Sequence, residues 1–157
     1  MLRNKHKTLM RPSLHDKLRG DDMDRMLEII EQIEVNGGVS VVLGSGDAYL
    51  AGVLSDMILP DENAGGIIRG IYAEARGLLT CTNQRILFVG RGYTTMNDFK
   101  VLSHDYVDIG SMEYQKGLIY GKLIIDTNGT KNVIHQILNL QAKGFIDYVR
   151  NVSPDKL

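Results

Sequence analysis

One cysteine, no tryptophan and only three prolines stand among the 157 residues. A lone thiol, Cys81, cannot close an internal disulfide, so burial must hold the fold and a reducing compartment suits it. Long apolar runs are missing too. No stretch reaches the ~18 residues of a membrane span, and no run of signal-peptide length follows the basic N-terminus. Charge of one sign is also lacking: the net charge of −1 provides no field to draw the whole chain onto nucleic acid or anionic lipid. These absences lead us to expect a cytoplasmic protein that binds no nucleic acid. Asn128-Gly129-Thr130 and Asn151-Val152-Ser153 match glycosylation acceptors, but without a secretory signal we read them as chance.

What is present suits an ordinary globular core, with 43% apolar and 24% charged residues. Residues 1–20 form a basic arm, with Arg3, Lys5, Lys7, Arg11, Lys17 and Arg19 against one acid, Asp16. The sign then reverses between Asp21 and Glu34, where six acids accompany one base, Arg25. Met23, Met26, Leu27, Ile30 and Ile33 recur at the spacing of one helical face. Asn36-Gly37-Gly38 ends that helix, because glycine accepts the left-handed conformation of a helix stop. A short β-branched run, Val39 to Leu43, leads through Gly44-Ser45-Gly46 to a second amphipathic helix. That helix carries Tyr49, Leu50, Val53, Leu54, Met57 and Ile58 on one face and stops at Pro60.

From Ile67 the pattern changes to short strands separated by turn signals. Ile67–Ala73 and Gly77–Thr82 read as a hairpin about Glu74-Ala75-Arg76, followed by Arg85–Val89 and, after a polar loop from Gly90 to Asp98, by Phe99–His104. Ile109–Lys116 and Leu118–Thr127 pair across Gly117, and Asn128-Gly129 turns the chain into Lys131–Ile137. A third amphipathic helix follows, with Leu138, Ala142, Phe145, Ile146 and Val149 on one face and Asn139 as its N-cap. Seven antiparallel strands and a terminal helix make an α+β fold in which the sheet bends into a barrel and the helix caps its open end.

Gly77-Leu78-Leu79-Thr80-Cys81-Thr82-Asn83-Gln84-Arg85-Ile86-Leu87-Phe88-Val89 resembles the second and third strands of bacterial pleckstrin-homology-like domains of the YokE-like kind. Those domains carry a pattern close to G-L-L-x-x-T-x-x-R-I-x-F-V. Ile109 to Tyr114 and Gly117 to Leu123 resemble the same family's fifth and sixth strands. The resemblance implies a PH-like domain over 61–152, preceded by a helical segment over 21–60 and the arm over 1–20. It also implies an interaction or assembly module, and it brings no catalytic residues with it.

A search for chemistry agrees with that implication. Gly44-Ser45-Gly46 lies between a strand and a helix, but a dinucleotide fingerprint needs glycine at position 49, where Tyr49 stands. His6, His15, His104 and His135 are far apart, which supports no metal site, and we expect no cofactor. Cys81 reads as a buried thiol in a strand. Arg85 reads as a local cap for turn carbonyls. Lys116, Tyr120, Lys122 and Lys131 surround the sixth strand and form the candidate binding patch. We therefore expect a non-enzymatic module that self-associates or binds a protein partner through the barrel and the N-terminal helices. Anionic lipid bound by the basic arm and strand lysines is the less favoured alternative.

Overall fold

The computed structural model describes residue 18, residues 20–92 and residues 99–157. The basic-arm reading of 1–20 and the polar loop over 93–98 fall outside the described residues, apart from Leu18, Gly20 and the loop's first residues.

Helix α1 spans Gly20–Val35. It stops as its glycines predict: Gly37 takes a φ of 68°, and the Gly37 and Gly38 amides donate to the carbonyls of Glu34 and Ile33. That pair of bonds is a Schellman motif. Met23, Met26, Ile29, Ile30 and Ile33 form its buried face. Ile29 takes the inward place expected of Leu27, because it sits within three or four residues of both Met26 and Ile33. Helix α2 (Ala48–Met57) buries Leu50, Ala51 and Leu54, while Tyr49 turns outward. Arg25 of α1 donates to the carbonyls of Ile58 and Leu59 at 3.2 and 2.7 Å, capping the end of α2.

Seven antiparallel strands follow: β2 (Ala64–Tyr72), β3 (Ala75–Thr82), β4 (Arg85–Gly92), β5 (Phe99–Asp105), β6 (Ser111–Gln115), β7 (Tyr120–Thr127) and β8 (Thr130–Leu138). Helix α3 (Asn139–Val152) comes last. An eighth strand, β1 (Val39–Ser40), pairs parallel to β2 ahead of the meander. The strand order is β5-β4-β3-β2-β8-β7-β6. The expected barrel is therefore a bent sheet that stays open, since no ladder joins β5 to β6 among the described residues.

The centre of the sheet is weakly joined as well. β2 and β8 share one ladder pair, Ile71 with His135. Next to it, Gln136 bulges with a φ of 57°, which twists β8 away from β2. Helix α3 packs against the start of β2. It can approach so closely because a side chain at Gly65 would overlap the Tyr148 ring.

The first hairpin turns at Ala73-Glu74 rather than at Glu74-Ala75-Arg76. Tyr72 pairs with Ala75, and both turn residues have positive φ. This is a two-residue turn of the type that matches strand twist, built without the usual glycine or asparagine.

Register and alternation assign the two faces of β2, β3 and β4. Ile68, Leu79, Cys81, Ile86 and Phe88 point into the fold, whereas Ile67, Leu78, Thr80, Leu87 and Val89 point outward. All ten are buried, because α1 and α2 cover the outer face. The apolar faces of both N-terminal helices are thus consumed within the chain. At ~2 kcal/mol for each buried aliphatic side chain, uncovering Ile67, Leu78, Leu87 and Val89 would cost on the order of 8 kcal/mol. That rivals the ~5–15 kcal/mol stability of a whole domain. A chain truncated to begin at Asp61 is accordingly expected to lose its cooperative thermal transition in calorimetry. A sharp melt near the full chain's temperature would show that the helices are separable.

Candidate binding surfaces

The most heavily bonded polar cluster lies under the chain rather than on it. Glu62 is almost wholly buried. Its carboxylate accepts from Arg85 Nη2 at 2.6 Å, Arg85 Nε at 3.0–3.1 Å, Thr82 Oγ1 at 2.7 Å and the Leu59 amide at 3.1 Å. Arg85 also donates to the Met57 carbonyl and Ser103 Oγ. Thr82 Oγ1 accepts from the Gln84 and Arg85 amides, closing the β3–β4 turn. The T-x-x-R spacing thus positions one clamp that joins α2, the approach to β2, and β4. Arg85 does serve a carbonyl, but that of Met57 across the fold, and its main partner is Glu62. Burial raises the Glu62 carboxyl; the hydrogen bonds from Arg85, Leu59 and Thr82, together with the Arg85 charge, outweigh it and hold the group below its ordinary value. Glu62 and Thr82 are buried and only an edge of Arg85 reaches the surface, so the clamp reads as scaffold.

The sulfur and imidazole groups are scattered. Cys81 is fully buried, and burial pushes its thiol well up, away from the nucleophilic form. His104 lies 3.3 Å from the Asn132 amide inside the sheet, and His135 sits exposed at the β8 bulge. Among the described residues no three His, Cys, Asp or Glu side chains gather as a metal site. No described helix is long and apolar enough to cross a membrane.

Two surfaces remain. The first is the end of the fold formed by the β6–β7 loop and the start of α3. Leu118 is 97% exposed and Leu140 93%, with Ile119 and Tyr120 also outward. The loop is firmly held: Asn139 donates from Nδ2 to the Gly117 carbonyl at 2.9 Å and from its amide to the Ile119 carbonyl at 3.0 Å. Tyr114 Oη donates to Asn139 Oδ1 at 2.6 Å, and burial raises its phenol, which keeps the donor protonated. Asn139 is thus the first residue of α3 and the anchor of the loop, with Leu138 in the N-cap place expected for it. Beside this knob runs a groove of about 390 Å³ between β6 and α3, with Ala142 and Ile146 along it and Lys116, Lys143 and Arg150 at its sides.

Of the patch residues read from sequence, Lys116 borders this groove and Tyr120 stands at the foot of the knob. Lys122 lies opposite Gln115 on the outer face of β7. Lys131 lies opposite Asp126 at the far end of the β7–β8 ladder. Lys116, Tyr120 and Lys122 therefore gather around the loop, and Lys131 stands apart from them.

The second surface is a cleft of about 870 Å³ that runs from the glycine turn before α2, past the ends of β2, β3 and β4, to Tyr120 and α3. Arg69, Arg76 and Arg91 all line it. Arg76 and Arg91 are direct partners in the β3–β4 ladder and so share the outer face. Arg69 bonds Asp47 through two contacts, 2.7 and 2.9 Å, and the Arg91 guanidinium stacks on the Tyr49 ring, 4.3 Å from its centre. Sequence reading missed this grouping. Counting the ladder back from the Thr82–Arg85 turn brings Arg76 opposite Arg91, and that was the available signal.

A family model for the bacterial PH domain matches residues 58–151. No curated protein matches the sequence. Among solved structures, the C-terminal domain of an unknown protein from Leishmania infantum is 13% identical, covering 66% of this chain and 97% of that one, with a TM-score of 0.47. A DUF1696 family protein with a pleckstrin-homology domain from Shewanella loihica PV-4 is 19% identical, covering 67% and 94%, at 0.45. A pleckstrin homology domain from Shewanella amazonensis SB2B is 17% identical, covering 68% and 96%, at 0.45.

Proposed function

Because the chain belongs to the bacterial PH domain family, we propose that it is a non-catalytic interaction module that takes an acidic, partly apolar segment of a protein partner at the β6–β7 end of the fold. The observation that carries this reading is a rigid apolar knob beside a basic groove. Leu118, Ile119, Tyr120 and Leu140 stand exposed side by side at this end, and a contiguous exposed apolar patch is a mark of an interaction surface. The loop that presents them is already fixed by Asn139, so binding would order little new chain. Lys116, Lys143 and Arg150 around the groove, against Asp147, favour an acidic occupant. The N-terminal helices offer less, since their apolar faces are buried.

A second reading draws on Lys116 and Lys122, which flank the apolar tip as they would at an anionic bilayer. A bilayer would leave the groove unfilled, so we rank it below a protein partner.

The test compares the wild-type chain with L118S/L140S. Both side chains are over nine-tenths exposed, so the variant should keep its stability within about 0.5 kcal/mol. Wild type is expected to retain a discrete protein from cell extract that L118S/L140S releases, and neither should float with anionic liposomes. Equal retention by both chains, or flotation that depends on Leu118, would refute the reading.

A further inference from the structure

We propose that Tyr72, Asn132 and His104 form a hydrogen-bond relay that reverses direction when His104 takes up a proton. The relay carries the charge state of the outer strand β5 across the fold to the end of β2. It lies away from the β6–β7 end and goes beyond the protein-partner reading.

The three side chains come from three strands: Tyr72 from β2, Asn132 from β8 and His104 from β5. Each is half-buried. Alternation turns them to the inner face, where Tyr72 meets the Phe88 ring, Asn132 sits opposite Ile125 and His104 opposite Ile86. β5 is the outer strand of its half of the sheet, and no ladder joins it to β8. The approach of His104 to Asn132 is therefore a side-chain tie between strands that share no backbone pairing.

Tyr72 sets the direction of the chain. Its hydroxyl donates to Asn132 Oδ1 at 3.0 Å, which turns Asn132 Nδ2 toward His104 Nε2, 3.3 Å away. An amide nitrogen can only donate, so Nε2 accepts and the neutral ring carries its hydrogen on Nδ1. A proton taken up at Nε2 would set two donors face to face. Rotation of the Asn132 amide by half a turn resolves the conflict. Oδ1 then accepts from the imidazolium in a charge-assisted bond, and Nδ2 donates to Tyr72 Oη. The phenolic hydrogen loses its acceptor, so a proton gained on β5 is felt at Tyr72. That residue immediately precedes the Ala73-Glu74 turn, in which both residues hold positive φ.

Neighbouring charges are arranged to leave His104 in command of the relay. On β4, Arg85 and Arg91 alternate to the outer face, as do Lys131 and His135 on β8 and Arg69 on β2. Asp105, next to His104, alternates outward opposite Arg85. Cys81 shares the row of His104 two strands away, and Lys100 lies four residues along the same face of β5.

Nuclear magnetic resonance of the full chain between about pH 8 and pH 5, where histidine gains its proton, tests the relay. At the alkaline end, nitrogen-15 shifts of the His104 ring are expected to place its hydrogen on Nδ1. On acidification the Asn132 side-chain amide and the Tyr72 ζ carbon should shift with the same midpoint as the His104 ring. In Asn132→Ala, His104 should still titrate while the Tyr72 signal no longer follows it. In His104→Gln, which keeps the other histidines, neither Asn132 nor Tyr72 should respond, and circular dichroism melts establish that both variants fold. A hydrogen on Nε2 at the alkaline end would overturn the relay. So would a Tyr72 signal that stays still while His104 titrates, or one that follows His104 equally well in Asn132→Ala.

Discussion

Replacing Glu62 with alanine is expected to lower the unfolding free energy by about 3 kcal/mol, which equilibrium denaturation in urea would measure. Removing one member of a buried ion pair costs ~3–5 kcal/mol, mostly because the other charge stays behind without its partner. The lower end applies here. Arg85 keeps 17% of its side chain exposed and retains the Met57 carbonyl and Ser103 Oγ as acceptors. Glu62→Leu combined with Arg85→Met should cost much less than Glu62→Ala, because no stranded charge remains. Similar losses in both would mean that packing, rather than the charge, matters at this point.

The same clamp carries a pH dependence. The Glu62 carboxyl lies below 4.5 in the folded chain, so its ionised form is favoured more there than in the unfolded chain. Its stabilisation is complete above 4.5 and is lost as pH falls through the depressed folded value. Below 4.5, Glu62→Gln should therefore show a shallower fall in stability than wild type.

Phe88→Ala is expected to cost about 4–5 kcal/mol, the upper part of the ~3–5 kcal/mol range for truncating a buried aromatic. Phe88 is fully buried and meets the Tyr72 ring edge-on, with centroids 5.7 Å apart. Its ring lies over Gly90, where an added Cβ would come within 2.7 Å of it. Gly90 in turn pairs with Gly77 across the ladder. The floor beneath the ring thus has no side chains that could collapse into the space. At this chain length the loss corresponds to a melting temperature lower by roughly 10–15 °C in calorimetry. A drop of only a few degrees would mean that β3 and β4 relax more than their paired glycines suggest.

The parts of the fold legible in the sequence were those set by local chemistry. Gly37 and Gly38 ended α1, and Asn128-Gly129 turned β7 into β8 with φ of 53° and 82°, because these residues tolerate that backbone wherever they occur. Ala73-Glu74 adopts a similar geometry without residues that prefer it, so the first hairpin could not be positioned. The weak β2–β8 junction was hidden for the same reason: nothing in the residue type of Gln136 marks a left-handed bulge. Long-range partners were the other gap. Arg85 was a recognisable motif residue, but Glu62, 23 positions earlier, carried no local mark of its burial. At the candidate surfaces, Lys116, Tyr120 and Lys122 come together around the β6–β7 loop, while the exposure of Leu118 and Leu140 depended on how Asn139 ties α3 to it. The cover of α1 and α2 over β2–β4 was one of several arrangements their amphipathic faces allowed.

The proposed reading puts a protein partner at the β6–β7 end, and site-directed photo-crosslinking tests this most directly. A photoreactive residue is placed at Leu118, or at Val35, which is 78% exposed at the end of α1, and adducts are compared in living cells. The account predicts a discrete protein adduct from position 118 and none from position 35. An adduct from position 35 alone would contradict it and return the contact surface to the N-terminal helices.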